Sequence, residues 1–155
     1  MNNEAVNRVQ VQVEDAVSKG ARLVCGGRRL TEDGLDEGFF YAPTLLADVT
    51  PDMRIYREET FGPVAAVIPF DDEAEVLKMA NDTVYGLASY VYTQSLSKAF
   101  KFSEGLDFAI IGINDINPTA AALPFGGMKE SGIGREGARE GIREYLETKS
   151  VGFSV

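Results

Sequence analysis

The chain has 155 residues, 45% hydrophobic and 25% charged, which is the composition of an ordinary globular domain with a sizeable core. Its 15 basic and 24 acidic residues give a net charge of -9, which argues against a nucleic-acid partner. The complete absence of histidine excludes Ser-His-Asp and Cys-His catalysis and histidine-bound metals, and we predict no metal site.

The first half of the chain predicts one helix and three extended segments. Apolar residues recur at helical spacing from Val6 to Val17, and Gly20 ends the pattern as a C-terminal cap does. The extended segments are residues 21–25, 39–46 and 64–70. Pro43 predicts that the second is an edge strand or an irregular piece. The third is continuously apolar, which is typical of a strand buried on both faces.

The second half predicts capped helices that alternate with strands. Asp71 or Asp72 begins a helix that ends near Asn81, and Ser95 begins another that ends at Gly105. The remaining predicted elements are strands over 87–92 and 108–113, a helix over 135–146 and a strand over 148–155. Strands separated by helices of about ten residues predict βαβ units. We therefore expect an α/β fold with a mainly parallel sheet flanked by helices.

Gly132, Gly134 and Gly137 have the spacing of the dinucleotide-binding fingerprint. That fingerprint requires a buried strand before it, a helix after it and an acidic residue about twenty positions further on. No apolar run precedes Gly132, and the acidic residue is missing. We interpret the match as coincidental.

Cys25 is the only thiol in the chain. A nucleophilic role needs a depressed pKa and a partner base, and histidine is absent. We interpret Cys25 as a small buried residue at the end of a strand, where free cysteines usually lie. A single cysteine excludes an internal disulfide and fits a reducing compartment, so we expect a cytoplasmic protein. The apolar runs are too short to cross a bilayer, and we expect no membrane partner.

Two polar segments are candidates for binding. Residues 57–63, REETFGP, precede a predicted buried strand and are either a solvated loop or a binding site. In a site, a carboxylate would accept hydrogen bonds from a diol while the aromatic ring covers a flat ligand. Residues 114–137 form a long loop, which is uncommon in a compact domain unless it lines a site.

Five motifs are distributed along the chain. They are Gly20-Ala21 with Gly26-Gly27, Glu58-Glu59-Thr60-Phe61-Gly62-Pro63-Val64, Asn81 with Tyr85-Gly86-Leu87, Gly112-x-Asn114, and Pro124-Phe-Gly-Gly-x-Lys-x-Ser-Gly-x-Gly-Arg-Glu-x-Gly137. Together they resemble the C-terminal third of an NAD(P)-dependent aldehyde dehydrogenase, and the likeness extends over essentially the whole chain. The tail Glu144–Lys149 is most similar to the succinate-semialdehyde branch.

The resemblance implies roles for four residues. Glu59 matches the glutamate that hydrogen-bonds the nicotinamide ribose, and Phe61 matches the aromatic that packs near the nicotinamide. Phe125 matches the aromatic of the substrate tunnel, which the Pro-Phe-Gly-Gly loop lines. Thr119 stands where the succinate-semialdehyde branch has a serine that holds the far carboxylate of the substrate. Threonine keeps the hydroxyl but departs from the pattern.

The resemblance also implies what this chain lacks. The family's nucleophilic cysteine, general-base glutamate and cofactor domain all lie upstream of the matched motifs. We therefore expect no catalytic residue here, no NAD or NADP bound to this chain alone, and no oxidation of succinate semialdehyde or another aldehyde by it. Residues 1–147 would be an incomplete portion of the catalytic domain, and residues 148–155 a strand that makes a homo-oligomer, at least a dimer. The alternative is a non-catalytic α/β binding or assembly module.

Overall fold

Short strands and four α-helices alternate in residues 2–155, the part of the chain that the computed structural model describes. Residue 1 of the predicted 1–147 portion lies outside it. The helices are α1 Asn3–Ser18, α2 Arg54–Arg57, α3 Glu73–Asn81 and α4 Leu96–Gly105. The strands are β1 Arg22–Cys25, β2 Arg29–Leu30, β3 Phe40–Tyr41, β4 Thr44–Ala47, β5 Val64–Ala66, β6 Tyr85–Gly86, β7 Ala88–Val91, β8 Ile110–Ile113 and β9 Met128–Lys129.

The chain divides after Asp71 into two compact units, the second being Asp72–Val155. The strands form small sheets of mixed direction. Strand β4 is parallel to β5 and β7 is parallel to β8, whereas β1–β4, β2–β3 and β6–β9 are antiparallel. The predicted α/β class is confirmed, but the predicted mainly parallel sheet is wrong. None of the helices in the described residues is long and apolar enough to cross a membrane.

Helix α1 organises the core of the first unit. The Asn2 side chain caps it by accepting a hydrogen bond from the Ala5 N–H at 2.8 Å. Most of its apolar stripe is buried, as the helical spacing predicts, but Val17 at its end is 42% exposed. The core comprises Val6, Val9, Val13, Ala16, Ala21, Tyr41, Leu46, Val49 and Met53. A helix of this length is marginal by itself, so burial of this stripe holds it.

The sheet of the first unit has the order β1-β4-β5, so β4 is central. Of the two predicted alternatives for residues 39–46, the edge strand is wrong for β4, and the irregular piece is confirmed, because the segment is interrupted between β3 and β4. Pro43 lies between β3 and β4, where its missing N–H interrupts no ladder. Gly26, at a φ of +77°, faces this turn so closely that a Cβ would lie 2.2 Å from the Pro43 carbonyl oxygen.

Strand β5 also differs from its prediction. It covers Val64–Ala66, lies at the edge of the sheet, and is half-buried to exposed. Val67 and Phe70, beyond its end, are 48% and 53% exposed. The predicted burial of this apolar run on both faces is therefore wrong within residues 2–155. A run of this kind is buried only where other protein covers it.

The second unit begins with the two predicted helices. The Asp72 carboxylate caps α3 by accepting from the N–H groups of Ala74 and Glu75, both at 2.9 Å. Ser95 caps α4 by accepting from the Lys98 N–H at 3.4 Å. Both helices end where the sequence predicts. The paired strands β7 and β8 match the predicted strands over 87–92 and 108–113.

The last predicted helix and strand are absent from the structure, which describes this region completely. Residues 141–145 form only a 3₁₀ turn, and residues 148–155 have no regular structure. Four glycines between 132 and 141 disfavour a helix. Ile142, Tyr145 and Leu146 remain 61–86% exposed, so no burial offsets that cost. The terminal segment has no neighbouring strand to pair with, and an unpaired strand is not stable in water.

Candidate functional site

The loop Glu58–Pro63 carries the predicted cofactor-binding residues. It leaves α2 at Glu58 and enters β5 at Val64. Glu59 is exposed, and Phe61 is 79% exposed. Phe61 has a φ of +44°, a left-handed conformation that is uncommon for a bulky residue and often marks a binding site. The loop therefore presents a carboxylate and a flat aromatic ring to the surroundings.

Both ends of this loop lie on α1. The buried Gln12 side chain donates from Nε2 to Glu58 Oε2 at 3.3 Å. The Arg54 guanidinium also donates to the Glu58 carboxylate, at 2.8 and 3.1 Å. The Arg54 contact, followed by that of Gln12, holds the pKa of Glu58 below its usual value. Gly62 lies so close to α1 that an added Cβ would be 2.6 Å from Val9 Cγ2.

The loop after β8 carries the predicted substrate residue Thr119. Asn114 anchors its start: its side chain accepts from the Thr93 N–H at 2.9 Å and donates to the Thr93 carbonyl at 2.8 Å. Thr119 is exposed, and its hydroxyl donates to Asn117 Oδ1 at 2.9 Å. The Asn117 N–H in turn donates to Asp115 Oδ1 at 2.9 Å. Thr119 does not line the cavity described next.

A cavity of about 650 Å³ lies in the second unit and includes Phe125 in its wall. Phe125 exchanges two backbone hydrogen bonds with Glu136, at 2.8 and 2.6 Å. The Arg135 guanidinium donates to the carbonyls of Gly127 and Gly134 at 2.8 and 2.6 Å. These bonds fold the glycine-rich loop over the cavity. Its wall includes the apolar side chains of Leu87, Phe125, Ile133 and Tyr145 and the charged side chains of Arg135, Glu136 and Glu144. The cavity is open to solvent, since Ile133 and Tyr145 are 100% and 86% exposed.

The three glycines of the apparent fingerprint do not have its geometry in the described structure. Only the two-residue strand β9 precedes them, and a 3₁₀ turn follows. A Cβ at Gly134 would lie 2.8 Å from the Glu144 carboxylate, so this glycine allows close packing. The interpretation of the match as coincidental agrees with this arrangement.

Cys25 ends β1 as predicted, but it is exposed, and the predicted burial is wrong. Its thiol lies 3.8 Å from the Pro43 carbonyl oxygen. Among the residues that the structure describes, no group of three His, Cys, Asp or Glu could hold a metal ion.

Comparison with known proteins decides the family. The model of the aldehyde dehydrogenase family matches residues 1–151. This chain belongs to the aldehyde dehydrogenase family. It is 45% identical to a probable NADP(+) succinate-semialdehyde dehydrogenase of Sinorhizobium fredii, over 96% of this chain and 30% of that protein. It is 46% identical to a glutarate-semialdehyde dehydrogenase of Pseudomonas putida, over 100% of this chain and 31% of that protein.

A solved structure agrees with this assignment. The Mycobacterium tuberculosis aldehyde dehydrogenase complexed with NAD+ is 42% identical and superposes with a TM-score of 0.87, over 99% of this chain and 32% of that one. The predicted resemblance to aldehyde dehydrogenases is therefore confirmed. This chain spans about 30% of the length of the relatives it matches.

The structure separates the four predicted site residues into two pairs. Glu59 and Phe61 lie in the first unit of this aldehyde dehydrogenase chain, and Thr119 and Phe125 lie in the second. Sequence reasoning did not single out Gln12, although a glutamine among the apolar positions Val9, Val13 and Ala16 is visible as an interruption of the stripe. It also missed the bonds of Arg135 to backbone carbonyls, for which the sequence has no local signal.

Proposed function

We propose that this chain supplies the C-terminal part of an NAD(P)-dependent aldehyde dehydrogenase that oxidises semialdehydes to carboxylates. Residues 1–147 belong to the catalytic domain in this proposal, and residues 148–155 form its oligomerisation strand. The observation that carries the proposal is the match of residues 1–151 to the family, together with relatives that are named for semialdehydes. The single cysteine supports a cytoplasmic location.

The chemistry of the loop Glu58–Pro63 fits one edge of a nicotinamide nucleotide. A carboxylate has acceptor sites for both hydroxyls of a ribose, and Glu59 is exposed for such contacts. The exposed ring of Phe61 offers a flat apolar surface to the nicotinamide. In this proposal Glu59 orients the ribose, and Phe61 restricts the position of the nicotinamide ring. The bound nucleotide supplies the hydride acceptor.

The second unit contributes to substrate binding in the same proposal. Phe125 and the neighbouring apolar side chains of its cavity contact the aldehyde chain. The Thr119 hydroxyl donates to the far carboxylate of the substrate, for which it exchanges its present bond to Asn117. Both named relatives act on aldehydes that carry such a carboxylate, and this supports the assignment.

The reacting groups belong to the part of the family chain that this sequence does not match. There, a thiolate adds to the aldehyde carbon, hydride leaves that carbon, and water then cleaves the thioester to release the carboxylate. This chain binds and orients, and it carries out none of these steps. Its residues lower the barrier by placing the reactants.

A second candidate, a non-catalytic α/β binding or assembly module, is favoured by one observation. Large apolar side chains such as Ile133, Tyr145 and Phe153 are 86–100% exposed, which is typical of an association surface. The two candidates differ in one respect. The enzyme part requires Glu59 for cofactor binding, and the module does not.

A chimaera tests the proposed function. This chain replaces the matched segment of the Pseudomonas putida glutarate-semialdehyde dehydrogenase, and reduction of NAD(P)+ is followed with succinate and glutarate semialdehydes. We expect oxidation of at least one semialdehyde. Glu59→Gln should raise the KM for the cofactor about tenfold or more, since the ribose contact weakens by about 1.4 kcal/mol or more. The matched control is Glu37→Gln, a change at another exposed glutamate of the first unit.

Two results oppose the proposal. A chimaera that folds and assembles but oxidises neither semialdehyde supports the non-catalytic module. An active chimaera in which Glu59→Gln and Glu37→Gln behave alike removes Glu59 from the cofactor site. Thermal unfolding of each chimaera shows whether it is folded.

A further inference from the structure

We propose that Gln12 of helix α1 is a positioning residue, which with Val9 holds the loop Glu58–Gly62 in the conformation that presents Glu59 and Phe61. The ligand of those two side chains rests on the proposed function. The positioning itself rests on contacts within the first unit and goes beyond that function.

The two contacts to α1 flank the side chains that they position. Gln12 Nε2 donates to Glu58 Oε2 at 3.3 Å, directly before Glu59. Val9 lies against Gly62, directly after Phe61, where a Cβ would approach Val9 Cγ2 to 2.6 Å. Because residues three apart share one face of a helix, Val9 and Gln12 form a single platform. The three residues between the contacts have little freedom to move.

Burial of the polar Gln12 side chain costs free energy, which indicates that its polar group has a specific role. Its side chain is 0% exposed and lies on the apolar stripe of α1. Its Oε1 atom is buried without a hydrogen-bond partner among the described residues, and an unsatisfied buried amide oxygen is costly. An apolar side chain of similar volume would fill the same space without that cost. The bond from Nε2 to Glu58 is the interaction that such a side chain would lose.

The conformation of the loop indicates that it needs to be held. Phe61 has a φ of +44° and an exposed side chain, so its own packing does not stabilise this backbone. Glu58 is bound from two sides, by Gln12 of α1 and by the guanidinium of Arg54 of α2. Arg54 is itself attached to α1, since its N–H donates to Asp15 Oδ2 at 2.8 Å. These contacts connect the loop to the most deeply buried helix of the unit.

Amide hydrogen exchange by NMR on the intact 155-residue chain tests this role. Gln12→Met keeps an apolar shape of similar length and removes the donor. We expect the amides of Glu58 and Val64, which bond to the carbonyls of Arg54 and Gly62, to exchange about tenfold faster or more, because the loop opens locally. The Val67 amide, bonded to the Leu46 carbonyl in the sheet, should keep its rate. The matched control is Gln10→Met, which removes a bond to Glu14 on the outer side of the same helix.

A second readout separates the hydrogen bond from packing. The carboxyl resonance of Glu58 should titrate at a higher pKa in Gln12→Met, because a donor to its charged form is lost. The other charged groups that act on Glu58 remain in place: Arg54 lowers its pKa and so limits the rise, whereas the Asp15 carboxylate raises it. A purely structural role of Gln12 would leave this pKa unchanged.

A third variant covers the case in which Gln12→Met does not fold. Glu58→Ala removes the acceptor of the Gln12 bond together with the bonds from Arg54, so exchange at Val64 should accelerate at least as much. Equal rates in wild type and both variants overturn the proposal, as does equal acceleration by Gln10→Met. These measurements need no cofactor. Their failure leaves the role of Glu59 intact, and failure of the chimaera leaves the role of Gln12 intact.

Discussion

Asp15 joins helix α1 to helix α2 through one carboxylate oxygen and pairs with the C-cap residue of α1 through the other. Its Oδ2 accepts from the Arg54 N–H at 2.8 Å, and its Oδ1 pairs with Lys19 Nζ at 2.9 Å. The side chain of Met53, the N-cap of α2, makes no capping hydrogen bond, so Asp15 satisfies a backbone donor that would otherwise lack a partner. These contacts, first the Arg54 N–H and then Lys19, hold the pKa of Asp15 below its usual value.

The lowered pKa predicts an acid-sensitive contribution to stability. Because the folded-state pKa of Asp15 lies below the unfolded value, its contribution is fully present above the ordinary value of 3.8 and disappears as the pH falls through the folded-state pKa. Asp15→Asn should destabilise the chain at pH 7 and should make less difference at a pH below the folded-state pKa of Asp15. Urea unfolding of both proteins at these two pH values measures the difference. Asp36→Asn, at an exposed turn, is the control and should differ little from wild type. Equal destabilisation by Asp15→Asn at both pH values would contradict the prediction.

Sequence motifs predict the site residues, whereas they do not predict the contacts that hold those residues in place. Glu59 and Phe61 belong to a motif that the sequence displays contiguously. The contact from Gln12 to Glu58 spans 46 positions, and no local pattern reports it. The exposure of Cys25 was also missed, because the general tendency of free cysteines is burial.

At the scale of elements, the caps of the helices in the second unit are local and testable. The sequence left Asp71 and Asp72 as alternatives for the start of α3, and the structure selects Asp72, which accepts from two N–H groups at 2.9 Å. Asp72→Ala should therefore destabilise the second unit by about 1 kcal/mol, the usual contribution of such a cap. Asp71→Ala, one position earlier, is the matched control and should have a much smaller effect.

Urea unfolding followed by circular dichroism measures the effect of the cap. A single transition reports the whole chain, and two transitions would assign the loss to one unit. Equal losses in Asp71→Ala and Asp72→Ala would mean that charge at the helix N-terminus, and not the cap geometry, stabilises α3.

Elements with local signals were predictable, and elements that depend on distant partners were not. Helices α1, α3 and α4 have caps and stop signals within their own sequence, and their bounds agree with the structure. The predicted helix over 135–146 has an apolar stripe but contains two glycines, Gly137 and Gly141. Its stability would have to come from a surface that covers Ile142 and Tyr145, which the described chain does not provide. The relative direction of two strands depends on which strands pair, and no local pattern specifies this. The prediction of a mainly parallel sheet is wrong for that reason.

At the scale of the whole molecule, the end of the chain is an accessible segment that carries large apolar side chains. Val151, Phe153 and Val155 alternate with Gly152 and Ser154, and Val151 and Phe153 are 62% and 90% exposed. Period-2 alternation is typical of a strand with one buried face. Within the described chain no strand pairs with it, so we propose that a second copy does, which produces a homo-oligomer of at least two chains.

Light scattering tests this assembly. The intact chain should have at least the mass of a dimer, and a chain that ends at Glu147 should be smaller because the pairing segment is missing. Phe153→Lys, a charge on the same face, should act like the truncation if burial drives association. A monomeric intact chain contradicts the proposal. An unchanged oligomer after truncation shows that another surface is responsible.

The central claim is that this chain carries binding groups of an aldehyde dehydrogenase but none of its reacting groups. Its most direct test is an assay of the isolated chain for reduction of NAD(P)+ with succinate semialdehyde, alongside Cys25→Ser. We expect no turnover by either protein, since a missing nucleophile and general base each reduce the rate by orders of magnitude. Turnover by the wild-type chain that disappears in Cys25→Ser would contradict the claim and identify Cys25 as the nucleophile.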